Sequence, residues 1–476
     1  MRQDTRQAIG RERPRDARLR MVTATSRVSQ LVMTVALLVP SHALGQTAAQ
    51  NEPAQQEEER STGLPAQVEW KFNFDATWGT FDFKNSLFRN PKEDVSENLS
   101  DQWFEGSIKA GLSGSHKLAN ASELYGKVSA VGERTYGSSP ATVGPDISSF
   151  QADDLFIGWR SGESSAPKDN LLDVTVGRAM FKLGNGMLLN DGTAEGGSRG
   201  GYWTNARKAF QFAAIGRFNP GHHTVETFYL DKDDLPENDT GTRLWGANYE
   251  FNPGEHATLG VSYLKFWARP EIKPERNGLN VFNLRAYLAP LPWTSDFTVD
   301  YEYATERNGD VLHSNAWTLQ GGYALSHLTW KPTLTYRYTS FEGDDLATTR
   351  NENFDPLLPG FHDWGSWWQG EIAGEYFLSN SNLTSHVFRV HFTPSGTLGW
   401  GGIFYKFSLD QPASFAPGVT DKNLAVESDG YVDWKLTKNF TATFVGAFAN
   451  PQAAAQQAFN RTSNFTYAMA FLAYSY

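Results

Sequence analysis

The chain has 476 residues, with 42 basic against 53 acidic side chains, no cysteine and 14% aromatic residues, among them 32 Phe, 18 Tyr and 15 Trp. The absence of cysteine excludes disulfides, thiolate zinc sites and thiol catalysis, and the acidic balance argues against a nucleic-acid partner. A helical membrane bundle is excluded too, because its spans need about 20 consecutive apolar residues and no such run follows residue 45.

Residues 1–45 read as a cleavable export signal. Eight arginines precede an apolar stretch from Leu31 to Pro40, and Ala43-Leu44-Gly45 supplies small residues for a cut after Gly45. The basic part is long, and Met21 is an alternative start. Residues 46–66 are polar and Gln/Glu-rich, including Glu57, Glu58 and Glu59. They read as a disordered periplasmic lead, which leaves 67–476 as one domain.

From Val68 the period becomes two. Trp70, Phe72, Phe74, Ala76 and Trp78 alternate with Glu69, Lys71, Asn73, Asp75 and Thr77, which puts apolar and polar side chains on opposite faces of a strand. The pattern recurs. Ile108, Ala110 and Leu112 alternate with Ser107, Lys109 and Gly111; Phe210, Phe212, Ala214, Gly216 and Phe218 with Gln211 and Arg217. Phe282, Leu284, Ala286 and Leu288 alternate with Asn283 and Arg285, and Leu334, Tyr336 and Tyr338 with Thr335 and Arg337.

Segments of this kind begin near 68, 103, 122, 152, 171, 208, 222, 243, 256, 278, 296, 314, 331, 384, 397, 424, 439 and 464. Connectors after even-numbered segments are mostly short (219–223, 252–256, 289–292, 393–397), and those after odd-numbered ones mostly long (79–102, 134–151, 179–207, 341–383). Short inner turns and long outer loops belong to an all-β, antiparallel up-and-down transmembrane barrel of about eighteen strands in a bacterial outer membrane. The last segment places Ala468, Ala470, Leu472, Tyr474 and Tyr476 on one face, which is similar to the C-terminal signal read by barrel-insertion machinery. Membrane lipid and lipopolysaccharide are then expected around the barrel.

Several segments together resemble the alginate-export family of outer-membrane porins. They are Val176-Gly177-Arg178 with Leu183 to Leu188, Phe297 to Tyr303 followed by Asn315-Ala316-Trp317, and Phe354 to Leu357 with Asp363-Trp364-Gly365. Asn382-Leu383 leading to Phe388-Arg389-Val390, and Glu427 and Asp429 before Leu436, complete the set. The likeness spans roughly 170–450. It implies a channel that passes an anionic polysaccharide outward, with lumen arginines guiding the chain and long loops gating it. That family's channel is basic, whereas this chain is acidic, which widens the expectation to a sugar or other small solute.

Parity nominates the pore-lining charges. Arg217, Arg285, Arg337, Arg389, Lys71, Lys109 and Lys127 fall on polar faces, as do Asp75, Glu105, Asp300, Glu302, Glu427, Asp429 and Asp433. Such residues either set the field of a pore or pair in cross-strand ladders. Lys406 joins them, although its strand is apolar on both faces. Arg178 shares parity with Val174 and Val176, so either the strand ends there or a bulge intervenes, and it is expected to turn into the lumen at the base of a loop.

No cofactor is expected. Ca²⁺ at Asp344, Asp345, Glu352 and Asp355 is an alternative to a solvated loop. Trp364, Trp367 and Trp368 either stack on sugar rings or pack the loop. Ten scattered histidines, including Glu255-His256 and His362-Asp363, form no catalytic constellation. Three functions remain open: a saccharide or polysaccharide channel, an uptake porin for small anionic or aromatic solutes, and a plugged adhesin or scaffold barrel.

Overall fold

The computed structural model describes residues 68–86, 100–118, 121–140, 146–162, 170–193, 199–236, 239–254, 256–289, 296–360, 369–374 and 379–476. The expected signal and lead lie outside these residues, as do Glu255 and 361–368 with His362, Asp363 and the three tryptophans.

Eighteen antiparallel strands form one sheet. They are β1 (Glu69–Lys84), β2 (Asp101–Lys117), β3 (Glu123–Gly137), β4 (Ile147–Arg160), β5 (Leu172–Arg178) and β6 (Phe212–Phe218). Then come β7 (His223–Asp231), β8 (Arg243–Phe251), β9 (Ala257–Trp267), β10 (Asn280–Leu288), β11 (Phe297–Asn308) and β12 (Leu312–Ala324). The last six are β13 (Thr333–Phe341), β14 (Leu383–Phe392), β15 (Leu398–Ser408), β16 (Asn423–Lys435), β17 (Phe440–Pro451) and β18 (Phe465–Ser475). Each pairs with its sequence neighbours, and β1 pairs with β18 through Asp75↔Ser475 to Lys84↔Thr466. The sheet therefore closes and leaves no edge. Closure matters because an unpaired backbone group in hydrocarbon costs several kcal/mol.

Alternation sets which side faces out. Phe150, Phe282, Leu284, Leu319, Phe388 and Phe444 are all exposed on the outer face. Apolar side chains left outside around a whole ring mark a surface made for an apolar medium. The inward face is polar only over part of its height. Near the long-loop end it carries Phe81, Phe83, Trp103, Phe228, Leu264, Phe266 and Phe407, all buried.

Two boundaries lie further out than the outward-apolar pattern placed them. Connectors expected at 79–102 and 134–151 shrink, because β1 continues to Lys84 with Phe81 and Phe83 inward and Thr80, Asp82 and Lys84 outward, and β3 continues to Gly137 with Glu133 and Thr135 inward and Arg134 and Tyr136 outward. In β1 the alternation persists there with its sense inverted, apolar inward and polar outward. Phe210, expected on the outer face of the sixth segment, precedes β6 and is fully buried inside. The connector 309–311, between β11 and β12, is the short exception among the long-side loops.

Two long connectors fold inward and fill the band. Residues 179–211 contribute Phe181, Leu183, Met187, Leu188 and Leu189; residues 342–382 contribute Phe354, Leu357, Leu358, Ile372 and Ala373, all in the same buried cluster as the wall. The two loops also bond each other. Asn190 N–H donates to Leu358 O at 2.9 Å, Leu358 N–H to Leu188 O at 3.2 Å and Gly360 N–H to Gly186 O at 3.0 Å. Gly370–Gly374 is a short π-helical turn rather than another strand.

Leu284 lies mid-strand on the outer face of β10 and is 48% exposed. Leu284→Arg is expected to destabilise the folded barrel by about 2–4 kcal/mol in lipid vesicles, measured by urea titration of folding. A cost near zero would contradict burial of this face in lipid.

Candidate functional site

The inserted loops hang from carboxylates on the barrel wall. Glu105 on β2 accepts the backbone N–H of Trp203 and of Thr204, each at 2.9 Å to Oε2, and the Trp103 indole N–H at 3.0 Å. Glu133 on β3 accepts the Ala206 N–H at 2.6 Å, and Asp153 on β4 accepts those of Lys208 and Ala209 at 3.2 and 3.0 Å. Three neighbouring strands thus cap successive donors of one loop.

The other loop is held in the same way. Glu427 on β16 accepts the N–H groups of Ile372 and Ala373, both at 2.7 Å, and Asp429 accepts that of Glu371 at 3.2 Å. On β11, Glu306 accepts the Asp355 N–H at 2.8 Å. Arg276, from the connector 268–279, donates to Asp355 at 2.7 Å through Nε. Glu371 returns to the first loop by accepting the Trp203 indole N–H at 2.9 Å.

Several nominated pore residues face inward but lie under these loops. Arg285 and Arg337 are fully buried, with Glu302, Glu427 and Asp429. The Arg285 guanidinium donates to Ser262 at 2.7 Å, Asn248 at 2.6 Å and Glu250 at 3.2 Å, and also to Asn283. Glu302 accepts from Asn283 and Tyr287, each at 2.9 Å. The loop crosses over them at Gly184, whose φ is +55° and where a Cβ would lie 2.6 Å from the Arg285 side chain. Asn185 N–H then donates to the Tyr287 hydroxyl at 3.2 Å. A cavity of about 120 Å³ lies beside this tip, lined by Asn185, Tyr287, Asp300, Glu302, Gln320 and Arg337.

On the arc from β2 to β6, ion pairs present their cations. Lys127 is 29% exposed and its partner Asp154 4%; Arg217 is 33% exposed and Glu226 13%; Lys208 is 27% exposed and Asp191 7%. Lys109 follows the same order with Asp153. Arg178, Arg207 and Arg199 share the single carboxylate of Asp233. Further round the ring, Glu250 on β8 and Asp355 are more exposed than their partners Arg285 and Arg276.

Two local distortions build this arc. Val128 pairs with Leu155 and Ala130 with Ala152, so Ser129 alone opposes Asp153 and Asp154. This β-bulge points two successive acids inward, where Lys109 reaches both and Lys127 reaches Asp154. At Gly177 φ is +130° and a Cβ would sit 2.3 Å from Leu155 O, so only glycine passes. The alternation breaks there, and Arg178 turns inward to Asp233 as its misfit parity required.

Structures of the same architecture are known. Pseudomonas aeruginosa OccK2 (OpdF) in complex with glucuronate aligns with a TM-score of 0.54 at 13% identity, covering 86% of this chain and 96% of that one. Pseudomonas aeruginosa OccK11 (OpdR) aligns with a TM-score of 0.52 at 12% identity, covering 86% and 95%. Pseudomonas aeruginosa OpdK with vanillate gives 0.51 at 12%, covering 85% and 98%. The fold is that of outer-membrane porins. No family model matches the sequence, and no curated protein matches it. The outer-membrane location expected from the strand pattern agrees with this fold. The alginate-export resemblance gains no support from these comparisons.

Lys406 is a correction. It shares the outer face of β15 with Phe404, opposite outward His386, and is exposed there, while Ile403, Tyr405 and Phe407 point in. With apolar residues on both faces, parity had nothing to separate. Arg389 does face inward, with Nε donating to the Tyr431 hydroxyl at 2.8 Å, and Asp300 accepts from Gln320 at 3.0 Å. Among the described residues no cluster of three or more acidic or histidine side chains is placed to hold a metal ion. Asp344 accepts the Glu352 N–H and Asp355 is turned to Arg276. Arg199, Arg207, Lys208, Asp191 and Asp233 escaped the sequence reading because they lie in connectors, where parity says nothing. The Asp153-Asp154 doublet was the one legible sign of the bulge.

Removing the Glu427 carboxylate leaves two buried N–H groups without an acceptor, at about 1–3 kcal/mol each. Glu427→Ala is therefore expected to speed proteolysis within 342–382 several-fold while the barrel stays folded; an unchanged cleavage rate would show that the anchor does not hold the loop. Burial opposes the charge of Asp355, but Arg276 outweighs it and holds the carboxyl below its ordinary range. The pair therefore stabilises the loops above roughly pH 4, and the contribution is lost as pH falls through the lowered value. Protease access to 342–360 should rise only at lower pH, and Asp355→Asn should abolish that acid step.

Proposed function

We propose that this barrel is an uptake channel for small anionic solutes, carboxylates foremost. The carrying observation is the order of exposure on the β2–β6 arc, where Lys109, Lys127, Lys208 and Arg217 present charge and their acids lie behind them. A solute passing inside meets positive ends on this wall, and further round the ring Glu250 and Asp355 are more exposed than the arginines they pair with. Charges fixed along a channel wall orient and select an ion by charge. Glucuronate and vanillate, bound in two structures of this fold, are both carboxylates and agree in charge type.

Export of an anionic polysaccharide is the reading the sequence resemblance implies. A polymer requires room along the whole lumen, whereas two mutually bonded loops pack into this barrel and bury Arg285 and Arg337. Small solutes fit such an interior better. The packed interior is also compatible with an adhesin or scaffold, for which conductance would be absent.

Planar-bilayer recording separates these readings. Millimolar glucuronate should reduce single-channel current while glucose should not. Lys127→Glu with Arg217→Glu should lower chloride-over-potassium selectivity by about twofold or more, read as reversal potential in a KCl gradient. Absence of any open-channel current, or equal block by glucose, would defeat the proposal.

A further inference from the structure

A row of polar residues that includes Lys265 and Arg307 lies on the outer face of the barrel, away from the interior. Lys265 on β9 pairs across strands with Asn280 on β10, Asn280 with Arg307 on β11, and Arg307 with His313 on β12. All four share parity with outward aromatic residues of their own strands: Trp267, Phe282, Tyr303 and Trp317. They lie at the long-loop ends of these strands, where the apolar belt stops. Arg350, in the connector 342–382, joins them through its guanidinium, 3.1 Å from His313 Nδ1.

The cations are held by neutral groups. Lys265 Nζ donates to Gly278 O at 2.7 Å and Asn280 Oδ1 at 3.1 Å. Arg307 donates to Ser314 O at 2.9 Å and Asn315 Oδ1 at 3.2 Å. Among the described residues no carboxylate ion-pairs with Lys265, Arg307 or Arg350. Acids bound the row instead of neutralising it. Asp231 faces Arg243 across the β7–β8 pair, and Glu342 accepts from Asn315. A fixed positive row beside hydrocarbon attracts an anion that itself resides at the lipid boundary. Aromatic side chains below it suit the region where acyl chains meet headgroups.

We propose that Lys265, Arg307 and Arg350, with His313 between them, bind the phosphate groups of a phosphorylated glycolipid of the outer leaflet. The inference rests on the membrane-spanning reading, and it is independent of what the channel carries. The full-length refolded barrel in non-ionic detergent is mixed with diphosphorylated lipid A, with its dephosphorylated form, or with inorganic phosphate, and read by native mass spectrometry. Wild type should retain diphosphorylated lipid A about tenfold better than the dephosphorylated form. Lys265→Gln with Arg307→Gln should erase that preference, Lys265→Arg with Arg307→Lys should keep it, and equimolar inorganic phosphate should displace no lipid. Equal retention of both lipids by wild type, an undiminished preference in the glutamine variant, or displacement by inorganic phosphate would overturn the proposal. Glucuronate block of the same variant, which should be unchanged, reports on the uptake reading separately.

Discussion

Every backbone donor taken away from water needs an acceptor, and the whole molecule is arranged around that requirement. In the wall it is met by strand pairing that runs round to β1 and β18. Inside, the loops have no ladder to join over much of their length. Carboxylates of Glu105, Glu133, Asp153, Glu306, Glu427 and Asp429 supply the missing acceptors. A charged acceptor forms a stronger bond than a neutral one and has room for several donors. The acidic balance of the chain thus acquires a structural role, distinct from any attraction for cations in solution.

That use of the acids changes the electrical character of the interior. An ion pair placed with its acid against the wall and its cation toward the lumen is neutral in sum and presents a positive end to the interior. On the β2–β6 arc Lys109, Lys127, Lys208 and Arg217 follow this ordering, and Arg285 with Glu250 and Arg276 with Asp355 reverse it. Counting charges along the chain therefore misses the sign that this arc presents to the interior. Exposure of each partner decides it.

The two faces of a strand also answer to different surroundings at different heights. Outward positions stay apolar through the belt and turn basic or polar at Lys265, Arg307 and Lys406. Inward positions are polar in one stretch and apolar where Phe181, Leu188 and Phe354 pack on the wall. One barrel thereby presents a lipid contact, a loop-packing core and a polar interior from a single alternating pattern. Local breaks in that pattern, at Ser129 opposite Asp153-Asp154 and at Gly177, are where side chains are redirected into the interior.

Strand number, strand direction and the inside–outside sense of most charges were legible from alternation alone, because side-chain direction in a strand is a local property with period two. The same rule located Arg217, Arg285, Arg337, Glu302 and Glu427 on the inner face, and the misfit of Arg178 announced a turn. Lys406 escaped because Tyr405 and Phe407 are apolar inward residues, and their reason for being apolar is a packed core no local pattern reveals. Which inward charges are buried and which exposed, and that Arg178 at the end of β5 and Arg199 and Arg207 of the following connector share Asp233, was decided only by the tertiary structure. Those facts depend on where residues 179–211 and 342–382 come to rest, and a loop's path is set by distant contacts rather than by its own sequence period.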